Sequence, residues 1–180
     1  MKGIVFTEFF ELVEDKFGYK MVDQVIESSN LPNNGSYTAV GTYPFNELAT
    51  MLQNLSKHSG VSANDLLVAF GHHLFNTFYQ GYSHFFAGID NAFQFLSGIE
   101  NYIHTEVRKL YPDAELPTID TEKRGDKIML LHYKSTRRLS KLAYGLIEKT
   151  LEHYKHKATI TEKQMDKNGE HVLFTIELQD

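Results

Sequence analysis

A chain of 180 residues with 42% hydrophobic and 23% charged side chains is large enough for one domain that encloses a ligand, and no repeat or Pro/Gly-rich linker divides it. The absence of cysteine excludes disulfides, thiolate metal ligation, iron–sulfur clusters and cysteine-based zinc sites. A net charge of −5, with basic residues only in short groups such as Lys134, Arg137, Arg138 and Lys141, argues against a nucleic-acid partner. No run suits a membrane span and the acidic first helix does not read as a secretory leader, so a cytoplasmic location is expected.

Residues 4–17 place Val5, Phe9, Leu12 and Val13 at helical spacing and stop at Gly18, which suits the C′ position. A second short helix is predicted over 19–28, and Leu31-Pro32-Asn33-Asn34-Gly35 reads as a loop. A third helix follows Pro44. A fourth starts at Ser62-Ala63-Asn64-Asp65, which resembles a capping box, and runs through Leu66, Leu67, Phe70, Leu74 and Phe78. The amino-terminal third is thus a helical layer. Residues 83–110 are helical again with one break, and Pro112 ends them before the turn-rich Leu116-Pro117-Thr118. The period then changes to two, with Ile128, Leu130 and His132 alternating with Met129, Leu131 and Tyr133, a strand that leads into Tyr133-Lys134-Ser135-Thr136-Arg137. Residues 139–154 return to helix, and strands over 157–165 and 171–178 meet around Asn168-Gly169, a hairpin signal. The fold class is α+β with a mainly antiparallel sheet.

Tyr133, Ser135 and Arg137 occupy alternate positions of a segment that reads as extended, so their two hydroxyls and one guanidinium point the same way. Arg grips a carboxylate through two parallel hydrogen bonds and each hydroxyl adds one, which describes a clamp for clustered carboxylates. The plainer use of the same groups is to cap the following helix or to pair with an acidic residue. Of the nine histidines, His72 and His73 are adjacent and diverge by roughly 100° on a helix. His153 and His156 share a helix face, a spacing open to zinc but without a convincing third ligand, so solvated helix-end residues are expected there. His104 lies on an apolar helix with Leu96, Ile99, Ile103, Val107 and Leu110, while Ser97 and Gly98 leave room beside it. Alone it reads as a core histidine. Together with the clamp it suggests haem, and thirteen Phe and ten Tyr, crowded between residues 70 and 102, suit a pocket for a planar ligand or simply an aromatic-rich core.

A Tyr-x-Ser-x-Arg signature downstream of a helical His, behind Met1-Lys2-Gly3-Ile4-Val5 and with the Leu116-Pro117 turn and closing hairpin in order, resembles the haem nitric oxide/oxygen binding family, H-NOX or HNOB. The resemblance covers essentially the whole chain. It implies a helical distal subdomain, about 1–62, packed on a proximal subdomain, 63–180, with haem b between them. His104 matches the axial iron ligand, and Tyr133, Ser135 and Arg137 match the residues that hold the propionates. Val5 and Pro117 match residues that press on the porphyrin, and Phe9, Leu74, Phe78, Leu142 and Leu146 fall in the haem and gas pocket. In members that bind dioxygen, a tyrosine in the helix after the signature donates to the gas; the matching position here is Leu142, and Phe9 and Leu74 are apolar as well. Tyr144 is roughly 200° around the helix and should face elsewhere.

The resemblance therefore implies a sensor, not an enzyme, that binds nitric oxide and carbon monoxide and excludes dioxygen. Loss of the Fe–His104 bond would carry the signal to a separate effector, a histidine kinase or a cyclic-di-GMP synthase or phosphodiesterase. A peroxidase-like enzyme is the rival, but it needs a polar acid/base and an arginine where Phe9, Leu74 and Leu142 stand. An oxygen-binding member of the same family and a haem-free binder of another carboxylated ligand are the remaining alternatives.

Overall fold

The computed structural model describes residues 1–179. Helix α1 (Gly3–Phe17) ends where Gly18 takes φ 81° and donates its amide to the Glu14 carbonyl. The same glycine starts α2 (Tyr19–Ser29), which stops at left-handed Asn30. Helix α3 (Phe45–Ser59) follows Pro44 and ends at Gly60 with φ 73°. Ahead of α4 (Ala63–Gly81) the Ser62 hydroxyl accepts the Asp65 amide at 3.1 Å, and its own proton goes to the Asp65 carboxylate at 2.7 Å. The cap is therefore made from one side only, because Asp is too short to reach back to the Ser62 amide.

Phe6, Phe9, Leu12 and Val13 of α1 pack with Val22, Val25, Leu48, Met51, Leu55, Leu66, Phe70 and Leu74 into one core that joins the four helices. Burying each such side chain fully stabilises the fold by about 1.5–3 kcal/mol. Beyond α4 the expected long helix is more broken than its sequence suggests. A 3₁₀ turn (Ser83–Phe85) leads into a loop in which Gly88 has φ 73°, and Asn91 then caps α5 (Ala92–Gly98) by accepting the Gln94 amide at 2.9 Å. A π-helical turn (Ile99–Ile103) continues directly into α6 (His104–Leu110).

Four strands, β1 (Thr118–Arg124), β2 (Ile128–Lys134), β3 (Ala158–Gln164) and β4 (His171–Leu178), form a wholly antiparallel sheet in the order β1-β2-β4-β3. Periodicity does not announce β1, since Ile119 is its one buried residue and the rest is polar edge. Helix α7 (Ser140–His153) crosses the sheet, and Met129, Leu131, Tyr133, Val172, Phe174 and Ile176 pack with Ile147 and Leu151 and with Phe93 and Leu96 of α5. The β3–β4 connection is longer than an Asn-Gly two-residue turn: Met165 still pairs with His171, and the Asp166 carboxylate accepts the Gly169 and Glu170 amides. Helices α4 and α7 meet backbone to backbone, because a Cβ on Gly71 would collide with the Leu142 carbonyl and one on Gly145 with the Val68 carbonyl. Among the described residues no helix is long and apolar enough to cross a membrane.

Candidate functional site

The signature converges by a different route from the expected one. Strand β2 ends at Lys134, Ser135 keeps one sheet-like bond by donating its amide to the Glu170 carbonyl at 2.8 Å, and the chain then turns, closing an Arg138-to-Ser135 bond of 3.2 Å with Arg138 at φ 55°. Alternation along an extended segment therefore does not hold through the signature, because the chain turns after Ser135. The Ser135 hydroxyl accepts the Arg137 amide at 3.2 Å and also bonds the Tyr133 side chain. Burial raises the Tyr133 phenol above its ordinary range, against the pull of Ser135, the Leu139 backbone and the Arg137 charge. Arg137 in turn donates to Glu115 twice, to its carbonyl at 2.7 Å and its carboxylate at 2.6 Å, and lies 6.0 Å from the Phe45 ring. Glu115 is 83% exposed. Its carboxylate thus marks the position where Arg137 receives an acid, and it can swing aside into solvent.

His104 is the first residue after the π-helical turn, with 12% of its side chain exposed. Its Nδ1 lies 2.9 Å from Oε2 of Glu100, and a carboxylate can only accept, so Nδ1 carries the proton. Oε2 also accepts the Ile119 amide at 3.1 Å, while Oε1 accepts from Arg108 at 2.9 Å. Burial pushes Glu100 upward, but these three donors outweigh it and hold the carboxyl below its usual range. Burial pushes the His104 imidazole below its ordinary value, partly opposed by Glu100, so the neutral ring is favoured. Nε2 has no protein partner among the described residues. A neutral imidazole with one nitrogen tied to a carboxylate and the other bare is the arrangement of a metal-ligating histidine. Glu100 escaped the sequence reading although a carboxylate four residues before the histidine was its available signal.

Phe9 and Leu74 are buried in the amino-terminal core, and Val5, Phe78, Leu142 and Leu146 pack against it, so these six pocket candidates form one apolar group. Pro117 directly precedes β1, two residues before the amide held by Glu100, which places it beside the His104 turn. Tyr144 belongs to the other core, 6.3 Å from the Phe174 ring, and its hydroxyl meets Glu148. It does not join Leu142. His72 pairs with Glu148 of α7 while His73 pairs with Glu8 of α1, the divergence expected of neighbours on a helix. The expected shared face of His153 and His156 is not formed: α7 ends at His153, Lys155 turns back at φ 58°, and His153 packs on Tyr79 and Phe86 while His156 lines a cleft with His72.

The bare Nε2 of His104, the Arg137 guanidinium already holding a carboxylate and the apolar group without donors are chemically suited to a haem, with imidazole for iron and charge-assisted donors for its carboxylates. A family model described as Haem-NO-binding, HNOB, matches residues 2–162. The fold is similar to the Fe(II) unliganded H-NOX protein from K. algicida, 43% identical, with a TM-score of 0.95 over 100% of this chain and 97% of that one. An H-NOX protein from S. oneidensis in the Fe(II)NO ligation state is 28% identical, TM-score 0.91, with 100% of both chains covered. The IWP-051-bound H-NOX from Shewanella woodyi in the Fe(II)CO ligation state is 38% identical, TM-score 0.84, covering 98% of this chain and 94% of that one. No curated protein sequence gave a match. A family match over nearly the whole chain, with the same fold throughout, makes this protein a member of the haem-NO-binding family, H-NOX.

Proposed function

We propose that the chain binds haem b and senses nitric oxide, and carbon monoxide, at its iron while leaving dioxygen unbound. The observation that carries this reading is His104, a shielded imidazole whose Nδ1 proton is committed to Glu100 at 2.9 Å and whose Nε2 is bare. When bound, ferrous haem supplies one open coordination position for a diatomic gas. His104 would hold the iron through Nε2, and Tyr133, Ser135 and Arg137 would receive the propionates, with Glu115 giving up its place on Arg137. Val5 and Pro117 would bear on the ring. The gas would face Phe9, Leu74, Phe78, Leu142 and Leu146, none of which offers a hydrogen bond. Dioxygen is retained where a donor faces it, whereas nitric oxide and carbon monoxide need none.

The H-NOX structures from S. oneidensis and Shewanella woodyi in nitric oxide and carbon monoxide ligation states support gas sensing as the activity. The same apolar lining lacks the acid/base group of a peroxidase. Release of His104 when nitric oxide binds would free the α6 end of the site, and the helical layer of residues 1–62 would then move against the remainder, residues 63–180. A separate cytoplasmic effector, a histidine kinase or a cyclic-di-GMP synthase or phosphodiesterase, would read that shift. The test is the absorbance spectrum of the reduced protein. A Soret band that is the same in air as under nitrogen, but moves with nitric oxide and with carbon monoxide, is expected. A colourless protein that takes up no haem, or a stable complex with dioxygen, would overturn the reading.

A further inference from the structure

A second group of ligand-type side chains lies between α1 and α4. Glu8 and Glu11 are three residues apart on α1 and share a face, and His73 of α4 meets them so that one ligating atom from each lies within 4.8 Å of the others. His73 Nε2 is 2.9 Å from Glu8 Oε2, which also accepts the Thr77 hydroxyl at 2.6 Å. Two ligands that share one cation with bonds of about 2.1 Å stand roughly 3.0–3.4 Å apart, so the pair needs only a small adjustment to admit an ion. Glu8 is only 9% exposed, and among the described residues neither carboxylate has a lysine or arginine partner. The His73 ring also stacks on Phe70, centroids 6.5 Å apart and planes 29° from parallel, a packing contact separate from its bond to Glu8.

The geometry points to a divalent-cation site built from Glu8, Glu11 and His73, with water completing the coordination. One nitrogen and two carboxylate ligands suit a first-row ion of intermediate softness, for which zinc is the probe. The ion takes the place of the His73–Glu8 hydrogen bond, His73 binding through Nε2 as the neutral ring with its proton on Nδ1, and it joins α1 to α4. Phe70 behind the His73 ring is edge-on to Phe9 at 5.6 Å, so the link reaches the wall of the apolar pocket. The competing state is the direct hydrogen bond between His73 and Glu8, which requires no metal. Zinc chloride titrated into the full chain as purified, after stripping with a chelator and in competition with a chromophoric chelator, separates the two. One zinc per chain is expected, with affinity lowered by about tenfold or more in Glu11→Gln and in His73→Gln. Glu11 is exposed, so its variant leaves the core intact. Absence of uptake, or uptake unchanged in either variant, would overturn the proposal. The outcome does not depend on haem, so it is separable from the gas-sensing reading.

Discussion

Replacing Glu100 by Gln keeps the side-chain shape and removes the charge that faces His104. The carboxylate accepts from three donors: His104 Nδ1 at 2.9 Å, the Ile119 amide at 3.1 Å and Arg108 at 2.9 Å. An amide has one accepting oxygen where the carboxylate has two, so at least one donor loses its partner. A charge-assisted hydrogen bond is worth about 1.5–3 kcal/mol and a neutral one about 0.5–1.5, and a difference near 1 kcal/mol is about fivefold in an equilibrium constant. Glu100 is 22% exposed, which keeps the effect toward the lower end of that range. The basicity of a ligating imidazole follows the hydrogen bond made by its other nitrogen, so Nε2 of His104 becomes the weaker donor to iron. Two measurements read this. The iron–histidine stretch in the resonance Raman spectrum of the reduced protein should move to lower frequency, and haem transfer to apomyoglobin should be about fivefold faster. An unmoved stretch with unchanged haem loss would refute the argument that Glu100 sets the strength of the proximal ligand.

Leu142→Tyr adds a hydroxyl to the apolar group and should create a spectrum in air distinct from that under nitrogen; an unaltered spectrum would mean that position 142 does not face the gas. Gly145→Ala drives a methyl group into the Val68 carbonyl, backbone that cannot yield, and should cost about 1–3 kcal/mol, read as a melting temperature lowered by about 2–4 °C per kcal/mol. Glu115→Ala removes the competing carboxylate from Arg137 while leaving its bond to the backbone carbonyl of that residue, so haem uptake should become faster; slower uptake would show that the Glu115 carboxylate positions the guanidinium instead of occupying it. Because Glu100 titrates below its reference value of 4.5 in the folded chain, the stability it contributes is complete above that pH and is lost as the pH falls through the lower folded value. Unfolding free energy measured from pH 6 downward should therefore fall less steeply in Glu100→Gln than in the parent below about pH 4.5.

The helices were legible because their buried faces repeat at the helical period: Phe9, Leu12 and Val13, or Leu66, Phe70 and Leu74, name the core side of α1 and α4 unaided. Strand β1 was not, since a polar edge strand with Ile119 alone buried leaves no alternation to read. The signature sat between these cases. Ser135 does touch both neighbours, the Tyr133 side chain and the Arg137 amide, but alternation does not continue past Lys134, because the chain bends at Arg138 and the guanidinium goes to Glu115.

Three departures from regular structure lie at the candidate haem site, and each is tied to a residue on another element. The π-helical turn ahead of His104 is tied through Glu100 to Ile119, the bend of the signature through Ser135 to Glu170, and Arg137 to Glu115. Local propensity cannot encode such ties, since the residues that impose them lie on other elements. A π-helical turn changes the angular offset of everything after it, and Glu100, within that turn, fixes the His104 ring through Nδ1 while its own position is held by the Ile119 amide. Glu100 thus ties the first strand of the sheet to His104, accepting from the Ile119 amide and from the imidazole through the same oxygen, so a movement of β1 would be felt at His104.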